Sequence, residues 1–197
     1  ANAVDNYMKN DTLALVDYAD ITTEGKLDVQ AVSDAKISNY VGALSVGVGG
    51  TAGVGVSATV GLNEIKDEIR AAVTNSKLNL GNPSGIGLNI NADGTHAMTN
   101  LVLGVGVGAS FLAGVEAGAV VGLNDIGGST VAELLDTDVD TTGSLTVLAD
   151  DDVIVKSHVG TLSVGAGTAG VGVGAGVNVD DYSRNTRASV RGDKKKA

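Results

Sequence analysis

One order of motifs occurs three times along the chain and begins a fourth time. The first motif starts with an apolar residue, carries Asn or Asp in its middle and closes with Ala and an aliphatic residue. Its copies start 57, 61 and 56 residues apart: Ala3–Val16, Val60–Val73, Val121–Leu134 and Val177–Val190. Long internal repeats of this kind predict a solenoid, in which each unit buries its apolar face against the next.

Two further motifs follow the first in each copy. A short apolar one occupies Lys26–Ala31, Gly87–Ala92 and Ser144–Ala149, and a glycine-rich run occupies Val41–Val60, Leu103–Val121 and Val159–Val177. We therefore predict a single continuous solenoid over residues 1–190. Its repeats cover about 3–59, 60–120 and 121–176, with a partial copy at 177–190 and a basic tail at 191–197.

The size of one coil follows from an assumption about solenoids. A coil of ~20 residues divides each repeat into about three coils. About ten coils stacked at ~4.8 Å predict a rod roughly 48 Å long.

The glycine-rich runs alternate between large aliphatic and small residues. In the first run Leu44, Val46, Val54 and Val56 share one parity, and glycine or serine holds the other. In the second run Leu103, Val105 and Val107 alternate with glycine in the same way. A period of two predicts β-strands, and we expect the Val, Ala and Leu side to fill the interior.

The glycines predict a corner and a close approach. Parity changes between Leu162 and Val171, so we place a turn at Gly167-Thr168 and at the matching Gly49-Gly50-Thr51. Glycine within a strand costs about 0.5–1 kcal/mol relative to Ala. Its repetition predicts that another backbone lies against this face, from a neighbouring sheet, another subunit or a ligand surface.

Helical and membrane-spanning structures are the alternatives. Residues 37–63 carry no charge and are long enough to cross a bilayer, but glycine and valine dominate them and disfavour a helix. A membrane β-hairpin also alternates, although the chain has only 4 Tyr and 1 Phe for an aromatic girdle. Asn63–Thr74 fits a short helix capped by Asn63, but its repeat partners favour a strand.

Composition limits the partners. The net charge of −10 argues against a nucleic-acid partner and against adhesion to anionic lipid. The absence of Cys excludes a disulfide scaffold and a Cys-based metal site. The chain starts with Ala and shows no signal peptide, so we read it as a mature piece or an excised fragment.

The motif order resembles a known family. Alternation of apolar residues with Gly, then TAGVGV, then VGLN or VNV, then charged residues, then GxLxVxA is similar to the repeats of large Gram-negative secreted adhesins. These include filamentous-haemagglutinin-like and fusobacterial leukotoxin-like passengers of autotransporter or two-partner-secretion systems. The resemblance covers about residues 3–190. It implies an all-β, right-handed parallel β-helix, an extracellular or cell-surface location, and export through an outer-membrane transporter.

The same resemblance implies a role in cell adhesion or virulence and supplies no catalytic residues, so we predict that the chain is not an enzyme. The first hypothesis is a structural and adhesive solenoid that binds a host-cell receptor. The second is a filament subunit that self-associates head to tail through open solenoid ends, or sideways through its glycine-rich faces. The third is the scaffold of a secreted cytotoxin.

Two short motifs are candidate binding sites. Asp136, Asp138 and Asp140 lie on one side of an extended strand and offer carboxylate oxygens for calcium; the alternative is a solvated acidic edge. No other cofactor is expected. The tripeptide Arg191, Gly192 and Asp193 matches the sequence that integrins bind; the alternative is a chance match in a truncated repeat.

Three further features carry weaker expectations. Asp150, Asp151 and Asp152 form a carboxylate run like those of polysaccharide-cleaving β-helices, but aromatic residues to stack on sugars are missing. His96 and His158 show no metal-ligand spacing, so we expect both at exposed loops or edges.

Overall fold

Strands account for almost the whole chain, and every strand pair is parallel. The computed structural model describes residues 1–81 and 85–192. The part of the chain that it describes contains no helix, so it also has no helix that could span a membrane. The strands are β1 Asn2–Asp17, β2 Asp20–Thr23, β3 Leu27–Gly49, β4 Ala52–Thr74, β5 Lys77–Leu80, β6 Ile86–Ser110, β7 Ala113–Leu135, β8 Asp138–Thr141, β9 Ser144–Ala166 and β10 Ala169–Arg191.

The strands form three stacked sheets. The first sheet has the order β1-β4-β7-β10, the second β2-β5-β8 and the third β3-β6-β9. Each turn of the chain adds one strand to every sheet, which is the architecture of a parallel β-solenoid. The register pairs Ala3 with Val60, Val60 with Val121 and Val121 with Val177, so the motif alignment is confirmed.

The predicted coil length was wrong. One full repeat forms one rung of the solenoid, because β4 and β7 pair at an offset of a whole repeat. The error lies in the strand length: β3 and β4 each have 23 residues, which corresponds to about 75 Å. The molecule is therefore a short, broad stack of rungs, and the rod of about ten coils is excluded.

One half of each long strand encloses an aliphatic core. This wide half comprises residues 1–41, 59–81, 85–102, 120–159 and 176–191. Ile65, Ile69, Leu88 and Ile90 are fully buried in it. The short second sheet closes it at one side and contributes Leu78 and Leu80 to the same core. Over this half, the expectation that aliphatic residues face inward is confirmed.

In the other half of each long strand, the aliphatic residues face solvent and the small residues face inward. The glycine fin, residues 42–58, 103–119 and 160–175, places the first and third sheets against each other through glycine and serine. Its aliphatic residues point outward: Leu44 is 75% exposed, Val48 78% and Val56 69%. The expectation that the Val, Ala and Leu side fills the interior was wrong here. Near the tip the two sheets lie so close together that the inward positions of facing strands, such as Gly47 and Gly108, hold glycine.

The close approach predicted from the glycines is confirmed, and the neighbour is the chain's own opposite sheet. A Cβ added at Gly47 would overlap the carbonyl oxygen of Val54, and one at Gly108 would overlap that of Val115. Because both neighbours are backbone atoms, no rotation of a side chain relieves the overlap. Glycine is therefore required at these positions.

The predicted corner is confirmed. The third sheet's strand β3 ends at Gly49 and β4 of the first sheet starts at Ala52, while β9 ends at Ala166 and β10 starts at Ala169. A turn of two residues therefore connects the two sheets, and these turns form the tip of the fin. The segment from Asn63 to Thr74 lies inside β4 and is a strand, as its repeat partners indicated.

Candidate functional site

A line of polar and charged side chains crosses the interior of the wide half. Its members are Ser33 on β3, Asp67 on β4, His96 on β6, Asp151 on β9 and Arg184 on β10. On β3, β4 and β6, Ser33, Asp67 and His96 share the parity of buried aliphatic residues, so strand geometry turns them inward. This line of side chains connects the successive rungs of the solenoid, from β3 in the third sheet to β10 in the first sheet.

Short contacts link these five side chains. The Ser33 hydroxyl donates to Asp67 Oδ2 at 2.7 Å, and the same oxygen lies 3.0 Å from His96 Nε2. His96 Nδ1 lies 3.0 Å from Asp151 Oδ1, an ion-pair distance without hydrogen-bond alignment. Arg184 Nε donates to Asp151 Oδ2 at 2.6 Å.

Two carboxylates face the imidazole. Each ring nitrogen of His96 lies 3.0 Å from a carboxylate oxygen, of Asp67 or of Asp151. Of these two contacts, only the one with Asp67 has hydrogen-bond geometry. His96 and Arg184 thus place nitrogen atoms beside both buried carboxylates.

The guanidinium group of Arg184 bonds to β7, the strand one rung below. Its Nη1 donates to the Gly127 carbonyl at 2.9 Å, and its Nη2 donates to Thr130 Oγ1 at 3.0 Å. The register sets Gly128 beside Arg184, and a Cβ at Gly128 would overlap the backbone of Asp67. Through these hydrogen bonds, Arg184 connects β10 to the rungs below it.

The line combines residue types found in hydrolytic sites, but solvent does not reach its centre. The His96 and Asp67 side chains are 0% exposed, and those of Asp151 and Arg184 are 4% and 6% exposed. The expectation that His96 lies at an exposed edge was therefore wrong, whereas His158 is exposed as expected. The arrangement can hold charged and polar side chains in fixed places.

Strand parity was the signal that the sequence offered for this line. Leu88, Ile90 and Met98 share the parity of His96 on β6 and are all buried. Parity also separates the run of three aspartates: the Asp151 side chain is 4% exposed, whereas Asp152 is exposed to solvent. The run therefore does not form one cluster of carboxylates on one face.

A further buried carboxylate lies inside the glycine fin. Glu116 on β7 is 0% exposed, and its carboxylate occupies the space that a Cβ at Gly55 or Gly106 would take. Ser45 and Ser57 contact it through hydroxyls at 3.4–3.5 Å, the long limit for hydrogen bonds. Glu116 is the one ionisable residue of the fin, so every charge there is shielded from solvent.

Amide side chains stack along the solenoid axis beside the charged line. Asn6 donates to Asn63 at 2.9 Å, Asn63 to Asn124 at 2.8 Å, and Asn124 to the carboxylate of Asp180 at 2.6 Å. Each amide uses its NH₂ group toward the next rung, so the ladder has a direction. Asp180 ends it, because an ionised carboxylate only accepts.

An open groove runs along one corner of the stack. Three residues with positive φ, Tyr18 at 49°, Asn75 at 48° and Asp136 at 46°, lie one above another where the first sheet gives way to the second. The groove that they line has a volume of about 670 Å³. Beside it, hydrogen bonds from the Thr74 hydroxyl and the Asn75 amide lower the pKa of Asp17.

The three aspartates predicted to bind calcium are only partly brought together. Asp136 and Asp138 line the corner groove, and Asp140 lies further along the exposed side of β8. The register sets Lys77 beside Asp138 and Asn79 beside Asp140. Within residues 1–81 and 85–192, no three acidic, His or Cys side chains are grouped to hold a metal ion. Calcium binding stays a prediction.

The tripeptide predicted to bind a receptor begins at the end of β10. Arg191 is the last residue of this strand, and its carbonyl accepts a hydrogen bond from the Asp136 backbone N–H at 2.8 Å. Gly192 lines the corner groove. Asp193 lies outside the described residues, so receptor binding also stays a prediction.

The outer surfaces of the two halves differ in chemistry. On β3 of the wide half, charged and polar residues such as Asp34 and Lys36 point outward. In the glycine fin, every outward position on both sheets is Val, Leu, Ala or Gly. The most exposed aliphatic side chains there are Leu44, Val46, Val48, Val54, Val56, Leu162, Val171 and Val173.

Comparison with known proteins found no relatives. No protein-family model, no curated protein and no solved structure matches the chain.

Proposed function

We propose that the chain is a structural and adhesive β-solenoid segment of a secreted or cell-surface bacterial protein. The observation that carries this proposal is the size and regular strand register of its outer faces. The third sheet stacks three strands of 23–25 residues in register, so its outer face measures roughly 75 by 14 Å, about 1,000 Å². A stable protein–protein interface buries about 800 Å² on each partner.

The chemistry of the interior supports a mechanical role. The buried line from Ser33 to Arg184 and the asparagine ladder link successive rungs with directed hydrogen bonds. Such networks specify one arrangement of the strands and keep the outer faces rigid. A rigid face loses little conformational entropy when it binds, which favours attachment through many weak contacts.

Attachment of cells to the purified chain tests the proposal. We expect epithelial cells to attach to wells coated with the chain several-fold more than to wells coated with serum albumin. Attachment no higher than on albumin contradicts an adhesive role. The variant Asp193→Glu separates the two possible contacts: a loss assigns attachment to the tripeptide, and unchanged attachment assigns it to the sheet faces.

A head-to-tail filament is the second candidate, because β3 and β9 each pair on one side only. Free strand edges of this kind pair readily with another chain. The strand count works against continuous stacking, since the first sheet has four strands and the third sheet has three. Two stacked copies would leave one strand position of the third sheet unfilled at each joint. Electron microscopy of concentrated samples tests this candidate by the presence or absence of filaments along the solenoid axis.

A further inference from the structure

The glycine fin exposes two aliphatic faces, one on each side of a sheet pair that is only two backbones thick. Each face is three strands high and about eight residues long, or roughly 14 by 26 Å, which is about 360 Å². Each face therefore matches in size the largest apolar patch of a typical monomeric protein, about 300–600 Å². Such patches on native proteins mark interaction sites.

The faces have the geometry of sheet-on-sheet packing. Equivalent residues stack in register across the strands, as in Val46, Val107 and Val164 on one face and Val54, Val115 and Val171 on the other. No charged or hydrogen-bonding side chain interrupts either face. Flat ladders of branched aliphatic side chains are what the inner faces of β-sandwiches bring together at about 10 Å separation.

A lipid bilayer fits these faces less well. The fin has free strand edges along β3 and along residues 52–58 of β4, because β1 pairs with β4 only from Thr59 onward. Further free edges lie along β9 and β10 at the opposite end of the stack. Insertion into hydrocarbon would bury these edges without hydrogen-bond partners, which membrane proteins avoid. Packing against another protein face leaves the edges in water.

We propose that a second copy of this chain covers each outer face of the glycine fin, so that copies associate side by side through their valine ladders. One face buries only about 360 Å² on each partner, which is below the roughly 800 Å² of a standard stable interface. The association is therefore weak for a single pair and depends on protein concentration. Because every copy has two such faces, pairs extend into lateral stacks, as heterologous contacts do when they do not close into a ring. This inference stands apart from the adhesive role.

Sedimentation velocity over a concentration series tests the proposal. We expect the weight-average mass of the chain to rise at least twofold between micromolar and millimolar concentration. The double variant Val46→Lys and Val173→Lys places one charge on each face and is expected to remain monomeric throughout. The matched control Val32→Lys changes an equally exposed valine on β3 in the wide half, 60% against 61% for Val46, and is expected to associate like the wild type.

Other outcomes overturn the proposal. A wild-type chain that stays monomeric at millimolar concentration has no such contact. Association that persists in the double variant assigns it to the solenoid ends. A monomeric chain that co-sediments with phosphatidylcholine vesicles, and loses this binding in the double variant, identifies the fin as a lipid-binding surface. Circular dichroism of each variant shows whether the strands are retained, so that a loss of mass is not a loss of fold.

Discussion

In the wide half of the solenoid, isoleucine, valine and leucine point into the interior, whereas in the glycine fin the aliphatic side of the same strands points to solvent. The inward residues of β3 show how the change occurs. Within the fin they are Gly49, Gly47, Ser45 and Ala43, and in the wide half Val41, Asn39 and Ile37 follow, so the smallest side chains stand nearest the turn. The interior is wedge-shaped: the separation between the first and third sheets is smallest at the tip and larger in the wide half.

The cause of the wedge is the difference between its two ends. At the tip, two residues connect β3 to β4, so the sheets must lie almost in contact. At the other end, a short strand such as β5 stands between the sheets and holds them apart. Alternation alone therefore defines two faces of a strand, and the distance between the sheets decides which face is buried.

Exchanging side chains between the two faces of the fin should have the largest effect. We expect Gly47→Val to lower the free energy of unfolding by at least about 5 kcal/mol, because the new side chain meets the Val54 carbonyl and the backbone must separate. The matched variant Val46→Gly changes the outward neighbour and should cost only about 1 kcal/mol. Urea unfolding measures both. Equal losses would mean that the valine side is buried after all.

Removing a charge from the interior of the wide half should have the next largest effect. The variant Arg184→Leu leaves Asp151 without its guanidinium partner and is expected to cost about 4 kcal/mol. The control is Arg187→Leu on the same strand, whose side chain is 57% exposed and whose partner Glu133 also pairs with Arg70. It should cost less than about 1 kcal/mol. A similar loss in both variants would show that the charged line adds nothing specific.

Truncation of aliphatic residues compares the two halves directly. Ile69 is fully buried in the wide half, and Ile69→Ala should cost about 3 kcal/mol through lost burial and a residual cavity. Leu44 is 75% exposed on the fin, and Leu44→Ala should change stability by no more than about 0.5 kcal/mol. The result is measured in dilute protein, where copies do not associate. A large loss for Leu44→Ala would indicate a covered face even in the monomer.

Much of the fold could be predicted because it depends on local regularities. The repeat alignment gave the register of Val60 with Val121, the period of two gave strands, and the glycine pairs gave the tip. The length of a rung was missed, because it depends on where the chain turns, and the assumed coil of about 20 residues is shorter than one strand. The direction in which Val46 and Val54 face was missed because sheet separation is a property of the whole fold.

The buried line of charged side chains could have been predicted from the sequence, and it was missed for a different reason. His96 and Asp67 each have the parity of buried aliphatic residues on their own strands, which predicts an inward position. Charged residues are normally expected at the surface, and that expectation outweighed parity. No local signal connects Arg184 with Asp151, since the two residues lie 33 positions apart in the chain and on strands of different sheets.

The smallest predicted effect is a pH dependence of stability, which arises from Asp17 in the wide half. Hydrogen bonds from Thr74 and Asn75 hold the pKa of Asp17 below its ordinary value of 3.8. A carboxyl whose pKa is lower in the folded state stabilises the protein above its unfolded pKa, and this stabilisation is lost as the pH falls through the folded pKa. We expect the melting temperature of Asp17→Asn to lie slightly below that of the wild type at pH 7 and to converge with it below pH 3.8.

The control for this effect is Thr74→Val, which removes one donor and keeps the carboxyl group. It should bring the pKa of Asp17, measured by NMR titration, back toward 3.8. The fin exposes no ionisable side chain, so the fin variant Leu44→Ala should have the same pH profile as the wild type. The opposite result would be a change in the melting temperature at low pH for Leu44→Ala and none for Asp17→Asn. It would contradict the assignment of this pH dependence to the wide half.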